Sequence, residues 1–350
     1  MNQLIVILLA IFSVSTTFTI RIFSKQNPTQ VTISSSAGSY TIKALNNGML
    51  SVNGKRENYF QQTGNEKYTL SSNELKRSYA GGFTFFSSNG ELVILNHISE
   101  EDYLASVVSA ELPSGGEQVR KAQAILARTY AYKNMGNPDA GYDLLDNQLS
   151  QVYRGLPAGK ASLEAVRSTE GLVLGYKEEV AEVYYHSTCG GMILLPSDVW
   201  SGAKNQPYHK RMIDTFCSNS PFYTWEDTFY LDSIYQAHKF HAKLKKIKLI
   251  KDTVGAPVKS VVLLAPDTLR FDYNDFFNAL NHRPKTRRFE AELTDSLLIL
   301  HGHGYGHGVG MCQVGAIAMD KAGANYRDIL LHYFPGTQIL ALSRISKGVR

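Results

Sequence analysis

Gly116-Glu117-Gln118-Val119-Arg120-Lys121-Ala122-Gln123-Ala124-Ile125-Leu126-Ala127-Arg128-Thr129-Tyr130-Ala131-Tyr132-Lys133 is the first stretch of the chain that carries a convincing helical period. Val119, Ala122, Leu126, Thr129 and Lys133 fall on one stripe, and Ile125 and Tyr130 widen it. Glu117 sits in the first turn and Lys133 in the last, as the helix dipole favours. Upstream the pattern has period two: Phe18, Ile20 and Ile22 alternate with Thr17, Thr19 and Arg21, Val31 and Ile33 repeat it, and Leu92-Val93-Ile94-Leu95 ends the run. Turn signals at Gln26-Asn27-Pro28, Ser34 to Gly38 and Asn46-Asn47-Gly48 separate these strands, so residues 16–98 read as an N-terminal β-rich part.

Downstream the elements come in blocks. A helix is predicted over Ala161–Glu170, ended by Gly171, with strands at Leu172–Tyr176 and Val180–Tyr185. Residues 227–300 read as an inserted α+β part, with a helix over about 232–242, hairpin-like strands and a second helix from Asn274 to Leu280. Asn325 is placed to cap a last helix through Tyr326, Ile329, Leu330 and Tyr333, stopped by Pro335. With no βαβ rhythm, the expected fold class is α+β: β-rich parts made of short strands, packed with several helices around a central open groove.

Composition narrows the function. At 43% hydrophobic and 19% charged residues the chain is a folded protein rather than a disordered one. Its net charge of +5 suits an anionic polymer, but no segment is read as dense enough in Lys or Arg for nucleic acid to be a partner. Tyrosine, at 20 residues, fits sugar stacking as well as ordinary strand filling. Leu4 to Phe12 is an apolar run of signal-peptide size, too short to span a bilayer comfortably, with Ser13 and Ser15 as small residues for cleavage after Ser15. Residues 1–15 are therefore expected to be a signal peptide, or an uncleaved N-terminal anchor since Asn2 and Gln3 carry no charge, and the body is expected to be exported to the periplasm or cell envelope. No cysteine follows the run, so a lipoprotein anchor is not expected. In an oxidising compartment two of Cys189, Cys217 and Cys312 can be bridged with the third left over, and no CxxC zinc spacing is present.

Four segments could carry chemistry. Glu111 lies among Ala110, Leu112 and Pro113, where a carboxyl resists ionisation as a general acid must; the plainer reading is a charge that neutralises the N-terminus of the following helix. Gln123 and Arg128 are polar groups on a mostly buried helix and need partners, structural or substrate. His186-Ser187-Thr188-Cys189-Gly190-Gly191 could offer zinc ligands, though a buried or bridged Cys189 accounts for it equally. His301-Gly302-His303-Gly304-Tyr305-Gly306-His307-Gly308-Val309-Gly310-Met311-Cys312-Gln313 holds five glycines, too many for a core strand, and reads as a shaped loop lying against something. Its histidines could chelate a metal, or hydrogen-bond a sugar as neutral rings.

Taken together these segments resemble a known family. Glu111-Leu112-Pro113, the helix segment 121–131, Ser150-Gln151-Val152-Tyr153, His186 to Gly191, Ser220-Pro221 with Tyr223 and Trp225, Gly304 to Ala316, and His332 to Thr337 are similar to the SpoIID/LytB family over about 18–340. The resemblance implies that 99–345 is a SpoIID-like catalytic domain. It also implies a lytic transglycosylase acting on peptidoglycan strands stripped of stem peptides, or a non-catalytic wall-binding protein or amidase enhancer, the last with a wall amidase as partner. Glu111 is then the catalytic residue, with Gln123, Arg128, Tyr153, His186, Tyr305, His307 and Gln313 along the sugar and a Cys189–Cys217 disulfide. No cofactor and no metal are expected. Some members hold zinc just before the Gln151-Val152-Tyr153 step, but here 143–150 has neither Cys nor His. Val314 stands where the family usually has Trp, and Leu112 and Ser114-Gly115-Gly116 depart from the usual flanks. A lytic cut needs one carboxyl and hydrolysis two, for which Asp102, Asp198 and Asp214 are the candidates.

Overall fold

The period-two segments form strands that bury one face. Phe18, Ile20 and Ile22 are at most 2% exposed in the strand Thr17–Ile22, and Val31 and Ile33 are buried in Gln30–Ser35. The computed structural model describes residues 17–345 except 65, 74, 137–140, 240–242, 253–254 and 266–267. The expected signal segment 1–15 and the end of the expected 232–242 helix lie outside the described residues. The chain forms two compact units, one of residues up to Pro113 with Asn134–Glu170, the other of Ser114–Lys133 with the chain from Gly171 onward.

In the first unit a five-stranded sheet runs Leu144–Leu145, Thr17–Ile22, Glu91–Ser99, Gly82–Ser88, Tyr59–Gln62. A six-stranded sheet runs Lys55–Glu57, Leu50–Val52, Gly38–Ala44, Gln30–Ser35, Tyr68–Ser71, Lys76–Tyr79. Glu91–Ser99 is central and is buried from Leu92 to Asn96. It passes directly into a helix at Glu100–Glu111, with Ser99 as N-cap accepting from the Asp102 amide. That helix was not expected. Tyr103, Leu104, Ala105, Ser106, Val107 and Val108 are consecutive buried residues, so it shows no apolar stripe from which a period could be read.

In the second unit the expected helix spans Glu117–Asn134. Its N-terminus takes a carboxylate from elsewhere in the unit: Asp320 Oδ2 accepts the Val119 amide at 3.1 Å, which fits the positive end of the dipole. Thr129 donates to the Ile125 carbonyl and accepts the Leu174 amide, tying the helix to the strand Leu172–Tyr176. Residues 225–300 hold a separate apolar cluster built on Trp225, Phe229, Phe276, Phe277 and Phe289, with helices at Leu231–Ala237 and Tyr273–Ala279. The last helix is Tyr326–Tyr333, where Asn325 accepts from the amides of Arg327 and Asp328 as its sequence requires. The fold is α+β.

Candidate active site

Glu111 is the last residue of the helix Glu100–Glu111, not a residue ahead of the next one. The dipole-neutralising reading is therefore corrected, because a carboxylate at a helix C-terminus faces the negative end of the dipole. The side chain is half-buried, and Oε1 accepts the Val152 amide at 2.7 Å. Burial pushes the carboxyl above its ordinary range, against the opposing pull of the Val152 amide and the Arg154 guanidinium. A group so placed holds a proton at higher pH than a free glutamate does.

The Gln151-Val152-Tyr153 step builds that environment. Gln151 accepts from the Tyr103 hydroxyl at 3.1 Å, and the Tyr153 hydroxyl donates to Asn96 Oδ1 at 2.7 Å. The Ser106 hydroxyl donates to the Gly155 carbonyl at 2.7 Å. With Gln151 and Tyr153 pointing into the core, the Val152 amide is presented to Glu111. Tyr153 is 0% exposed and its ring packs between Tyr79 and Tyr103, so it lies in the core rather than on an open surface.

The three candidate second carboxyls have local settings of their own. Asp102 stands nine residues away on the same helix, about 14 Å along the axis and on the opposite face, beyond the roughly 5–9.5 Å that glycoside hydrolysis uses. Asp198 accepts the Leu195 amide and Arg211. Asp214 is 1% exposed and accepts the Tyr333 hydroxyl at 3.0 Å.

The glycine-rich segment and the other expected contacts belong to the second unit. Its glycines face another part of the same unit. Thr188 and Tyr305 exchange amide-to-carbonyl bonds of 3.1 and 2.8 Å, and Leu194 bonds to Gly308. A Cβ on Gly304, at φ +85°, would lie 2.6 Å from the Thr188 carbonyl oxygen, and one on Gly310, at φ +73°, 2.1 Å from that of Tyr184. What the loop lies against is thus residues 184–194, and the glycines permit that approach. Gln313 begins a helix, Gln313–Lys321, whose N-cap is Cys312.

The expected sugar-binding side chains divide by exposure. Gln123, Arg128, His186 and Gln313 are buried. Gln313 donates to Gln123 Oε1 at 3.4 Å, and Arg128 donates to the Leu172 carbonyl at 3.2 Å. His186 donates from Nδ1 to the Val309 carbonyl, and burial with the neighbouring His307 pulls its pKa down to about 3. His307 is half-buried and donates from Nε2 to the Tyr185 carbonyl while Nδ1 accepts the Val309 amide; burial pulls its pKa down to about 4. With both nitrogens engaged by backbone, His307 is a fixed neutral ring and cannot join a chelate with His301 and His303. Tyr305 is 46% exposed and stacks on Phe222 at 5.0 Å between ring centroids, an open aromatic surface of the kind a sugar ring can use.

Beside this segment, still within the second unit, lies a cavity of about 270 Å³ lined by His307, Trp200, Tyr273, Lys285, Arg287 and Arg288, among others. Lys285 is held by Asp227 at 2.8 Å, and Arg287 lies 4.4 Å over the Tyr273 ring. Trp200 lies 5.1 Å from the His307 ring. Arg283-Pro284-Lys285-Thr286-Arg287-Arg288 is four cations in six residues, a basic run legible in the sequence that overall composition does not disclose.

Cys189, Cys217 and Cys312 are all free, buried thiols. Cys189 and Cys217, the expected pair, have sulfurs 3.2 Å apart. Cys312 is not set apart in the loop as expected: the three sulfurs lie within 4.8 Å of one another.

Residues 88–176, which include Glu111 and Gln151-Val152-Tyr153, match the SpoIID family model, described as stage II sporulation protein. An uncharacterised protein of Brachyspira hyodysenteriae is 29% identical over 278 residues, 77% of this chain and 74% of its own. Stage II sporulation protein D of Bacillus subtilis is 29% identical over 271 residues, 70% of this chain and 75% of its own. The amidase enhancer of Bacillus subtilis is 26% identical over 288 residues, and the matched region spans 67% of this chain but 40% of that protein. Residues 88–176 thus match the SpoIID family, and the chain is similar to these proteins over 67–77% of its length.

Proposed function

We propose that this is an exported cell-wall protein that cuts peptidoglycan glycan strands by the lytic route, with Glu111 as the acid and base. The observation that carries the reading is the state of Glu111: a carboxyl raised by burial, at a helix C-terminus, with one oxygen tied to the Val152 amide. Its proton passes to the glycosidic oxygen as the C1–O bond breaks. The carboxylate then takes the proton of the muramic acid C6 hydroxyl as that oxygen bonds to C1, giving an anhydro end and restoring the acid. No second carboxyl is needed, and Asp102, on the same helix, stands too far from Glu111 to serve as one. The stacked Phe222 and Tyr305 are suited to a sugar face, and Lys285 and Arg287 to the lactyl carboxylates that strands expose once stem peptides are removed. Export rests on the apolar run Leu4 to Phe12.

A second reading is a non-catalytic wall-binding protein that stimulates an amidase. It draws on the relative named amidase enhancer and on the burial of five of the expected sugar contacts. Digestion of purified strands with and without stem peptides, with mass spectrometry of the ends, separates the two. Anhydro ends that vanish in Glu111→Gln support the lytic enzyme, and reducing ends indicate hydrolysis. Intact strands together with stimulated amidase activity would establish the enhancer in its place.

A further inference from the structure

The three cysteines and Asp214 form a cluster that the glycan-cleaving reading does not use. Cys189 follows the strand Tyr185–His186, Asp214 ends the strand Met212–Asp214, Cys217 lies in the next turn, and Cys312 is the N-cap of the helix Gln313–Lys321. All four are at most 2% exposed. The sulfurs lie within 4.8 Å of one another, 3.2 Å apart for Cys189 and Cys217, and Asp214 Oδ2 is 3.5 Å from Cys189 Sγ. Around a tetrahedral zinc with Zn–S of about 2.3 Å and Zn–O of about 2.0 Å, sulfurs stand about 3.8 Å apart, and a sulfur about 3.5 Å from a carboxylate oxygen. The Cys189–Cys217 separation is somewhat shorter than the first value, the other sulfurs lie within 4.8 Å, and the Cys189–Asp214 separation matches the second. A Cβ on Gly315 would lie 3.0 Å from Asp214 Oδ2 and 3.4 Å from Cys312 Sγ, so these two donors border the same small space.

The surroundings suit anionic ligands. The amides of Cys189 and Gly315 each donate to Cys312 Sγ at 3.3 Å, and those of Gly190 and Gly191 are directed at the Cys217 sulfur. Asp214 is oriented by the Tyr333 hydroxyl on Oδ2 and the Phe216 amide on Oδ1, both at 3.0 Å. Such outer hydrogen bonds hold thiolate and carboxylate ligands in place around a metal. Asp214 has no ion-pair partner among the described residues, and a carboxylate so deeply buried needs compensating positive charge. Arg288 donates to the Cys189 carbonyl at 2.7 Å and contributes one charge nearby; a divalent cation would supply the rest.

We propose that Cys189, Cys217 and Cys312 bind one zinc ion in a structural site, with the Asp214 carboxylate beside Cys189 Sγ as the nearest group for the fourth position. It would join the 189–191 turn, the 214–217 turn and the start of the Gln313–Lys321 helix at a single point, through contacts that are far apart in sequence. With that carboxylate in the fourth position none is left open, so the ion stabilises the fold and takes no part in a reaction. The proposal is independent of Glu111, and its test reads metal and thiols rather than wall cleavage.

The full chain, purified without chelator and then offered zinc, is measured for metal by mass spectrometry. Its thiols are titrated after denaturation with chelator. About one zinc per chain and three titratable thiols are expected. Cys312→Ser should lose the metal. If that variant does not fold, cobalt loading of the unaltered protein should give a thiolate-to-cobalt charge-transfer band, and Tyr333→Phe should weaken zinc binding roughly 10–100-fold. Protein that takes up no zinc, or that has one titratable thiol and a mass lower by two hydrogens, carries a disulfide or free thiols instead, and either result overturns the site.

Discussion

Replacing Glu111 by glutamine separates chemistry from stability in a way that tests the reading of this carboxyl directly. Glutamine is isosteric, and its oxygen can still accept the Val152 amide now held at 2.7 Å, so the local structure should persist. What disappears is the transferable proton. A positioned general acid contributes about 10²–10⁴-fold, so cleavage should fall by roughly 3–5 kcal/mol of barrier. Stability should move the other way. Burial raises the Glu111 carboxyl, so the folded protein holds this proton more tightly than the unfolded chain does. The stability it contributes is complete below the unfolded carboxyl's value of about 4.3 and is lost as pH rises through the folded value. Glutamine suffers no such loss. The variant should therefore gain on the parent as pH rises from about 4 and level off above the folded value, by about 1.4 kcal/mol for each tenfold in proton affinity. Denaturant melts at several pH values, run beside strand digestion, read both effects. Cleavage within a few-fold of the parent would remove Glu111 from the chemistry, and a variant that loses ground as pH rises would show that the carboxyl is not desolvated.

Arg154→Met removes a charge that lowers the Glu111 carboxyl, so the alkaline limb of kcat/KM should move to higher pH, and an unmoved limb would show that another group sets it. Tyr153→Phe leaves Asn96 Oδ1 without its buried donor and should cost about 1–3 kcal/mol in a denaturant melt, while a neutral result would show that water takes the hydroxyl's place. Gly310→Ala sets a Cβ 2.1 Å from the Tyr184 carbonyl oxygen at φ +73°, so it should cost more than the ~1–2 kcal/mol of a left-handed backbone alone, read as a lowered Tm. Lys285→Ala with Arg287→Ala should weaken binding of stem-peptide-free strands roughly two- to thirtyfold at low salt and less at high salt, if each charge contributes about 0.2–1 kcal/mol; equal binding at both salt concentrations would remove the basic cavity from recognition.

The sequence by itself determined what local pattern can determine. The alternation around Phe18, Ile20 and Ile22, the stripe from Val119 to Lys133 and the Asn325 cap each depend on neighbours a few residues away, and each became the expected element. Glu111 was singled out because apolar residues flank it in sequence. Tertiary structure decided the rest. The helix Glu100–Glu111 buries six consecutive residues and so has no readable period, which moved Glu111 from the start of one helix to the end of another. Tyr153, Gln123 and Arg128 could have served substrate or core equally well as residue types. Their burial follows from what packs over them, such as Asn96, 57 positions from Tyr153, and Gln313, 190 positions from Gln123. The cysteines show the same limit most plainly. Spacing disclosed no ligand set, because Cys189 meets Cys217 across 28 residues and Cys312 across 123, and only the closed fold brings the three sulfurs beside one buried carboxylate.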